Sequence, residues 1–211
     1  MLWLILAVAF WGFFHSFGAS SGVKDFCRRV FGESFMKYYR LFFNFIAVIT
    51  FLPILVLLIL LRSEVVYRFP SPWSYFMFAG QVFVASCLLT AIFQFGILDF
   101  IGLRQLAARE GKRELVTRGL YRYVRHPFYT FALLFLWLSP VVTVNLLFFY
   151  LALTIYVHIG IYFEERKLLR EFGDQYVEYR ANTPMLIPGL KLFGNKWYSR
   201  FVIKQQSPDK V

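Results

Sequence analysis

Arg125, His126 and Pro127 stand together in "YRYVRHPFYT" (residues 121–130), at the mouth of a stretch with no Asp, Glu, Lys or Arg until Glu164 and Glu165. Each end offers half of an ionic site. Pro127 suits the first turn of a helix, because its missing N–H would have no partner there anyway. The N–H groups that follow, the positive end of the helix dipole, Arg125 and His126 together suit a carboxylate or phosphate. A basic membrane flank with an ordinary proline start explains the same residues more simply. At the other end, two adjacent carboxylates sit poorly at a helix C-terminus, where the dipole disfavours negative charge. Either they cap the next helix or pair with nearby arginines, or they receive an ammonium, a sugar hydroxyl pair or another cationic group. If the stretch folds as two antiparallel arms, His126-Pro127 and Glu164-Glu165 come to one depth. The two halves could then hold a zwitterion.

The other groups able to do chemistry are few. His158 lies seven residues before Glu165, on the same helical face, where an interhelical hydrogen bond would satisfy a neutral imidazole. His15, Ser16 and Asp99 read as packing and capping groups. The three histidines share no metal-box spacing, so no metal is expected, neither a di-iron centre nor an H-E-x-x-H zinc site. Gly-rich phosphate loops and a GxSxG elbow are absent. Cys27, in a basic segment, and Cys87, in a charge-free one, suggest neither a disulfide framework nor a zinc site.

What must position these groups is a membrane protein. The 211 residues are 59% hydrophobic and 21% aromatic, and the apolar residues gather into runs that match the roughly 20 residues a spanning helix needs. The formal net charge of +11 raises nucleic acid as a partner, but the basic residues flank apolar segments and no nucleic-acid module accompanies them. Lipid headgroups of the bilayer account for them, and no nucleic-acid partner is expected.

The fold class expected is an all-α integral membrane protein. It has about five transmembrane helices, including a C-terminal helical hairpin, plus an interfacial amphipathic helix. Spans are expected over Met1–Val23, Leu41–Leu61 and Trp73–Leu98, with Pro53 kinking the second without ending it. "SPVVTVN" (139–145) divides the next uncharged stretch into a short arm, about Phe128–Ser139, and a long one, about Asn145–Phe163. The short arm would reach only about 18 Å at 1.5 Å per residue, so it must tilt, thin the bilayer or begin inside it. From Glu164, Leu168, Leu169, Phe172, Tyr176 and Tyr179 recur at near-helical spacing opposite charged residues, predicting the interfacial helix, with a possible break at Gly173. "TPMLIPGL" (183–190) returns apolar side chains to the protein or membrane, and the end of the chain reads as loose. Basic residues number five in 24–40, two in 62–72 and seven in 104–125, which places the N-terminus outside and the C-terminus in the cytoplasm, in a bacterial inner membrane.

"GLYRYVRHPFY" (119–129), followed by "EERKLLREFGDQYVEYR" (164–180) and "TPMLIP" (183–188), resembles the isoprenylcysteine carboxyl methyltransferase superfamily, which includes phospholipid methyltransferases. "FFHS" (13–16), "YYRLFFN" (38–44) and "DFIGLRQ" (99–105) further resemble its NnrU and nurim branch. The resemblance implies S-adenosyl-L-methionine as cofactor, with a lipophilic acceptor entering from the bilayer. It places His126, Pro127 and Tyr129 in a cofactor-binding RHP-x-Y motif and Glu164 and Glu165 in its EE partner. Gly119, Leu120 and Tyr121 would line the approach, and Tyr176 and Tyr179 would help close the pocket. Glu165 enters as a candidate catalytic residue, and Arg170 or Arg125, by charge and position, could orient an anionic acceptor. In these terms residues 1–100 form three N-terminal transmembrane helices, 101–190 the methyltransferase core and 191–211 a tail, within one structural domain. Phe131 stands where the family often has Gly, and Met185 where prenylcysteine-type relatives commonly have Arg, so prenylcysteine is not assigned.

The leading reading is therefore an integral membrane methyltransferase for a small lipophilic, thiol or carboxylate acceptor. The alternative is a non-catalytic membrane scaffold that keeps the fold. A transporter-like accessory protein would be favoured only by His158.

Overall fold

The computed structural model describes residues 2–103 and 114–189, and only the backbone of Asp99 and Phe100. The expected loose tail, the expected capping role of Asp99 and the basic residues between 104 and 113 lie outside what is described. A charge-free run in lipid must satisfy its own backbone, and these runs are helical. Helices α1 (Leu2–Ala19), α2 (Ser21–Leu60), α3 (Trp73–Phe95) and α6 (Val144–Phe172) are each long and apolar enough to cross a membrane. Helix α5 (Pro127–Trp137) is the short arm; its 11 residues give about 16 Å, well under the roughly 30 Å hydrocarbon layer. The protein is an all-α integral membrane protein, as expected.

Three boundaries differ from the sequence expectation. Residues 24–40 are helical rather than loop: α2 starts at Ser21, where the Ser20 hydroxyl accepts from the Val23 N–H at 3.4 Å. The chain turns within α2 at Gly32, whose φ of 77° suits glycine, while Pro53 stays inside the helix. Helix α3 ends at Phe95 instead of Leu98, and a short α4 (Ile97–Ile101) follows.

The third difference bears on the site. The long arm does not end at Phe163 but continues through Glu164 and Glu165 to Phe172. The charged residues mark where the apolar stretch stops, yet Glu, Arg, Lys and Leu are good helix formers, and nothing interrupts them before Gly173. The two carboxylates therefore sit inside a helix, and only α7 (Asp174–Asn182) is the separate helix beyond the break.

At the opposite end of α6 a small sheet closes the bundle. Strand β1 (Val65–Arg68) pairs antiparallel with β2 (Val141–Thr143), matching Val65 with Thr143 and Arg68 with Val141. Thr143 caps α6 by accepting from the Leu146 N–H at 3.3 Å. Asn145, expected to open the helix, instead ties the preceding loop: its N–H donates to the Ser63 hydroxyl at 2.9 Å and its amide to the Leu61 carbonyl at 3.3 Å. The apolar core, Leu4, Val8, Ile54, Val142, Phe149 and Tyr150, lies at this end. The ionic groups gather at the other.

Candidate active site

The two arms meet as expected, though not by packing closely on one another. Helix α5 rests chiefly on α3 and only lightly on α6. Its N-terminus is held by two further pieces of chain. The Arg125 N–H donates to the Pro184 carbonyl at 2.9 Å and the His126 N–H to the Met185 carbonyl at 3.2 Å. The buried Thr130 hydroxyl donates to the Leu186 carbonyl at 2.8 Å. Residues 183–186 thus form a strap across the start of α5. On the other flank Gly119 opens a 3-10 turn (Gly119–Arg122) with φ of 64°, and the Leu120 N–H donates to Gln94 Oε1 at 2.8 Å. A Cβ at Gly119 would collide with the Gln94 amide.

Inside this frame one oxygen collects three donors. Glu165 Oε1 lies 2.9 Å from Arg125 Nε, 2.8 Å from His126 Nε2 and 2.6 Å from the Tyr176 hydroxyl. An ionised carboxylate only accepts, so His126 carries a proton on Nε2. Both members of the Arg125–Glu165 pair are nearly buried, at 11% and 7% side-chain exposure. The guanidinium also donates to the carbonyls of Arg180 and Thr183, at 3.1 and 2.7 Å. Arg125 therefore binds α6, α7 and the strap together. Burial and the Glu165 carboxylate hold the Tyr176 phenol far above its ordinary range, so it remains a donor. The Tyr179 hydroxyl donates to the Tyr121 carbonyl at 2.6 Å, and burial raises its phenol as well.

Glu164 is different. Its Oε2 is buried without a hydrogen-bond partner, although the side chain as a whole is 40% exposed. The nearest cationic candidate, His126 Nδ1, is 3.8 Å away, within ion-pair range but beyond a hydrogen bond. Burial, then the Glu164 carboxylate, push the Tyr121 phenol up to about 12, and Tyr129 interacts with Glu164 both electrostatically and through a side-chain hydrogen bond. Arg125 pairs with Glu165, and among the described residues Glu164 Oε2 has no hydrogen-bond partner. No side chain caps the start of α5, where His126 is the cap residue and Pro127 the first helical one.

Gly119, Leu120, Tyr121, Arg125, His126, Pro127, Tyr129, Glu164, Glu165, Tyr176 and Tyr179 are thus brought to one end of the bundle. Arg170 is not: it is exposed, five positions past Glu165 and so about 140° round the helix. His158 is exposed too, and its Nδ1 meets its own helix at the Thr154 carbonyl, 2.8 Å away, so the expected interhelical bond is not made through this atom. Sequence reasoning missed Gln94 and Thr130. Gln94 could have been found as one of two amides in an apolar span, the one near its end.

Residues 72–175 match the family described as phospholipid methyltransferase. The matched segment, just under half of the chain, takes in α3 with Gln94, the 3-10 turn, α5 and α6 with both glutamates, and stops just short of Tyr176. Similar proteins carry one printed name. The methanethiol S-methyltransferase of Crocosphaera subtropica is 34% identical over 128 residues, covering 55% of this chain and 50% of its own. Methanethiol S-methyltransferase 1 of Bradyrhizobium diazoefficiens is 37% identical over 116 residues, covering 53% and 39%. The methanethiol S-methyltransferase of Mycobacterium tuberculosis is 38% identical over 106 residues, covering 48% and 43%. The chain spans half or less of the length of these relatives. No solved structure matches it.

Proposed function

We propose that the chain is an integral membrane methyltransferase that takes a methyl group from S-adenosyl-L-methionine and passes it to a small thiol. The observation that carries this reading is Glu164 Oε2, a buried acceptor with no partner among the described residues, beside a helix start that no described side chain caps. The methionine part of the cofactor joins a carboxylate to an ammonium and a sulfonium. Its cationic groups fit Glu164, and its carboxylate fits the first turn of α5 beside His126 and Pro127. Gly119, Leu120, Tyr121 and Tyr129 line the same space. When bound, the cofactor supplies an electrophilic methyl group.

The chain's own residues then have separable roles. Glu165 and Arg125 position: their charges are spent on one another and on the strap, so neither is left to orient an acceptor. Tyr176 and Tyr179 fix α7 over the pocket, and Gln94 fixes the 3-10 turn. Methyl transfer asks the protein for in-line placement of a nucleophile in a dry site, which a pocket framed by apolar helices favours. The thiol acceptor comes from the printed names of the relatives; lipophilic acceptors of this kind reach the site through the bilayer. The basic segments support an orientation with the N-terminus outside and the site at the cytoplasmic face, in a bacterial inner membrane.

The test is direct. Purified protein given methyl-labelled S-adenosyl-L-methionine and methanethiol is expected to release labelled dimethyl sulfide. If it binds neither the cofactor nor its demethylated product and transfers no label, the methyltransferase reading fails and the non-catalytic scaffold stands.

A further inference from the structure

Outside the matched segment, α1 carries a polar group that the site does not use. His15 Nδ1 is buried and has no hydrogen-bond partner among the described residues. Its ring stacks on Trp11, with centroids 4.8 Å apart and planes 14° apart, and also meets Phe43 at 4.7 Å and Tyr156 at 6.4 Å. The next residue, Ser16, shares a hydrogen bond with the Tyr156 hydroxyl at 3.4 Å. A buried imidazole nitrogen left without a partner carries a desolvation penalty that ring stacking does not offset.

The position of this nitrogen relative to the cofactor site can be followed through Tyr156. Helices α1 and α6 run the same way: Leu4 and Val8 share a core cluster with Phe149 and Tyr150, and Gly12 faces the ring of Tyr156. Glu164 is eight residues beyond Tyr156, about 12 Å along the axis, whereas His15 is three beyond Gly12, about 4.5 Å. His15 therefore lies roughly 7–8 Å deeper in the bundle than Glu164. Tyr129 bridges the interval, within electrostatic reach of both Glu164 and Tyr156. The line Glu164, Tyr129, Tyr156, His15 leads from the ionic site into the apolar interior.

We infer that His15 Nδ1, on a ring packed among Trp11, Phe43 and Tyr156, is the acceptor subsite for a short-chain alkanethiol and takes its proton. The inference rests on the methyltransferase reading above. Sulfur makes favourable contacts with aromatic rings, and a thiol S–H is a donor for the vacant nitrogen. Transfer of a methyl group from a sulfonium to a thiol forms one S–C bond and breaks another, and the electron pair of the broken bond stays on the donor's sulfur. It also releases the thiol proton, which His15 Nδ1 takes as the new bond forms. With its other proton on Nε2, the ring becomes an imidazolium that later returns the proton to solvent.

Nitrogen-15 NMR of histidine-labelled protein saturated with S-adenosylhomocysteine tests this without turnover. Methanethiol is expected to move the His15 signal, assigned with His15→Phe, while dimethyl sulfide, which has no S–H, leaves it in place. His15→Phe and His15→Gln are expected to bind the cofactor within threefold of the natural protein and to lose at least 100-fold in methyl transfer to methanethiol, in the usual range for a lost general base. An unmoved His15 signal, or a His15 variant that transfers methyl within threefold of the natural protein, overturns the inference and leaves the cofactor site standing. Failure of the natural protein to bind the cofactor overturns both.

Discussion

His126 Nε2 lies 2.8 Å from Glu165 Oε1, across the whole length of the hairpin in sequence. This contact joins the first turn of α5 to the polar extension of α6, and Arg125 and Tyr176 close on the same oxygen. Of the two adjacent carboxylates, Glu165 gathers three donors on one oxygen, whereas Glu164 Oε2 has no hydrogen-bond partner among the described residues.

Glu165→Leu is expected to destabilise the protein strongly, because it leaves Arg125 nearly buried and unpaired. Removing one partner of a buried pair costs about 3–5 kcal/mol, on the order of 6–20 °C in melting temperature for a chain of this size. Arg125→Met should cost a similar amount. The double variant should lose less than the sum of the two, with a coupling of about 1–3 kcal/mol in thermal unfolding. Additive losses would mean that the pair does not hold the site together.

Gly119→Ala forces a side chain onto a backbone with φ of 64° and into the Gln94 amide. A loss of about 1–3 kcal/mol is expected, together with weaker cofactor binding, because the 3-10 turn must move. Gln94→Leu should reproduce the weaker binding through the unpaired Leu120 N–H. Thermal unfolding and cofactor titration of both variants check this.

Tyr176→Phe removes a 2.6 Å bond to a charged oxygen. About 1.5–3 kcal/mol of stability should be lost, as for other hydrogen bonds to charged groups. Hydrogen exchange should show the loss first in α7 and the strap. Exchange accelerated equally across α1–α3 would contradict the view that Tyr176 acts on α7.

The spans were legible because charge-free apolar runs in lipid have one outcome. The convergence of His126 with the glutamates was legible because a short uncharged hairpin returns the chain to its starting depth. The end of α6 was misread at Phe163: charge marks where the apolar stretch stops, while helix ends follow Gly173. Arg170 was placed by charge alone, and periodicity does not say which face meets a partner. The strap and the β1–β2 pairing use backbone groups, which leave almost no signature in side-chain types. Gln94 was the missed exception, a polar residue in an apolar span that meets the 3-10 turn.

The central assignment is that Glu164, not Glu165, faces the cationic part of the methyl donor. Calorimetric titration of S-adenosyl-L-methionine into the natural protein and into Glu164→Gln tests it most directly. The natural protein should bind, and the variant should bind at least tenfold more weakly with a melting temperature little changed, since Glu164 Oε2 makes no hydrogen bond among the described residues. Equal affinities for the two proteins, or no binding by the natural one, would contradict it.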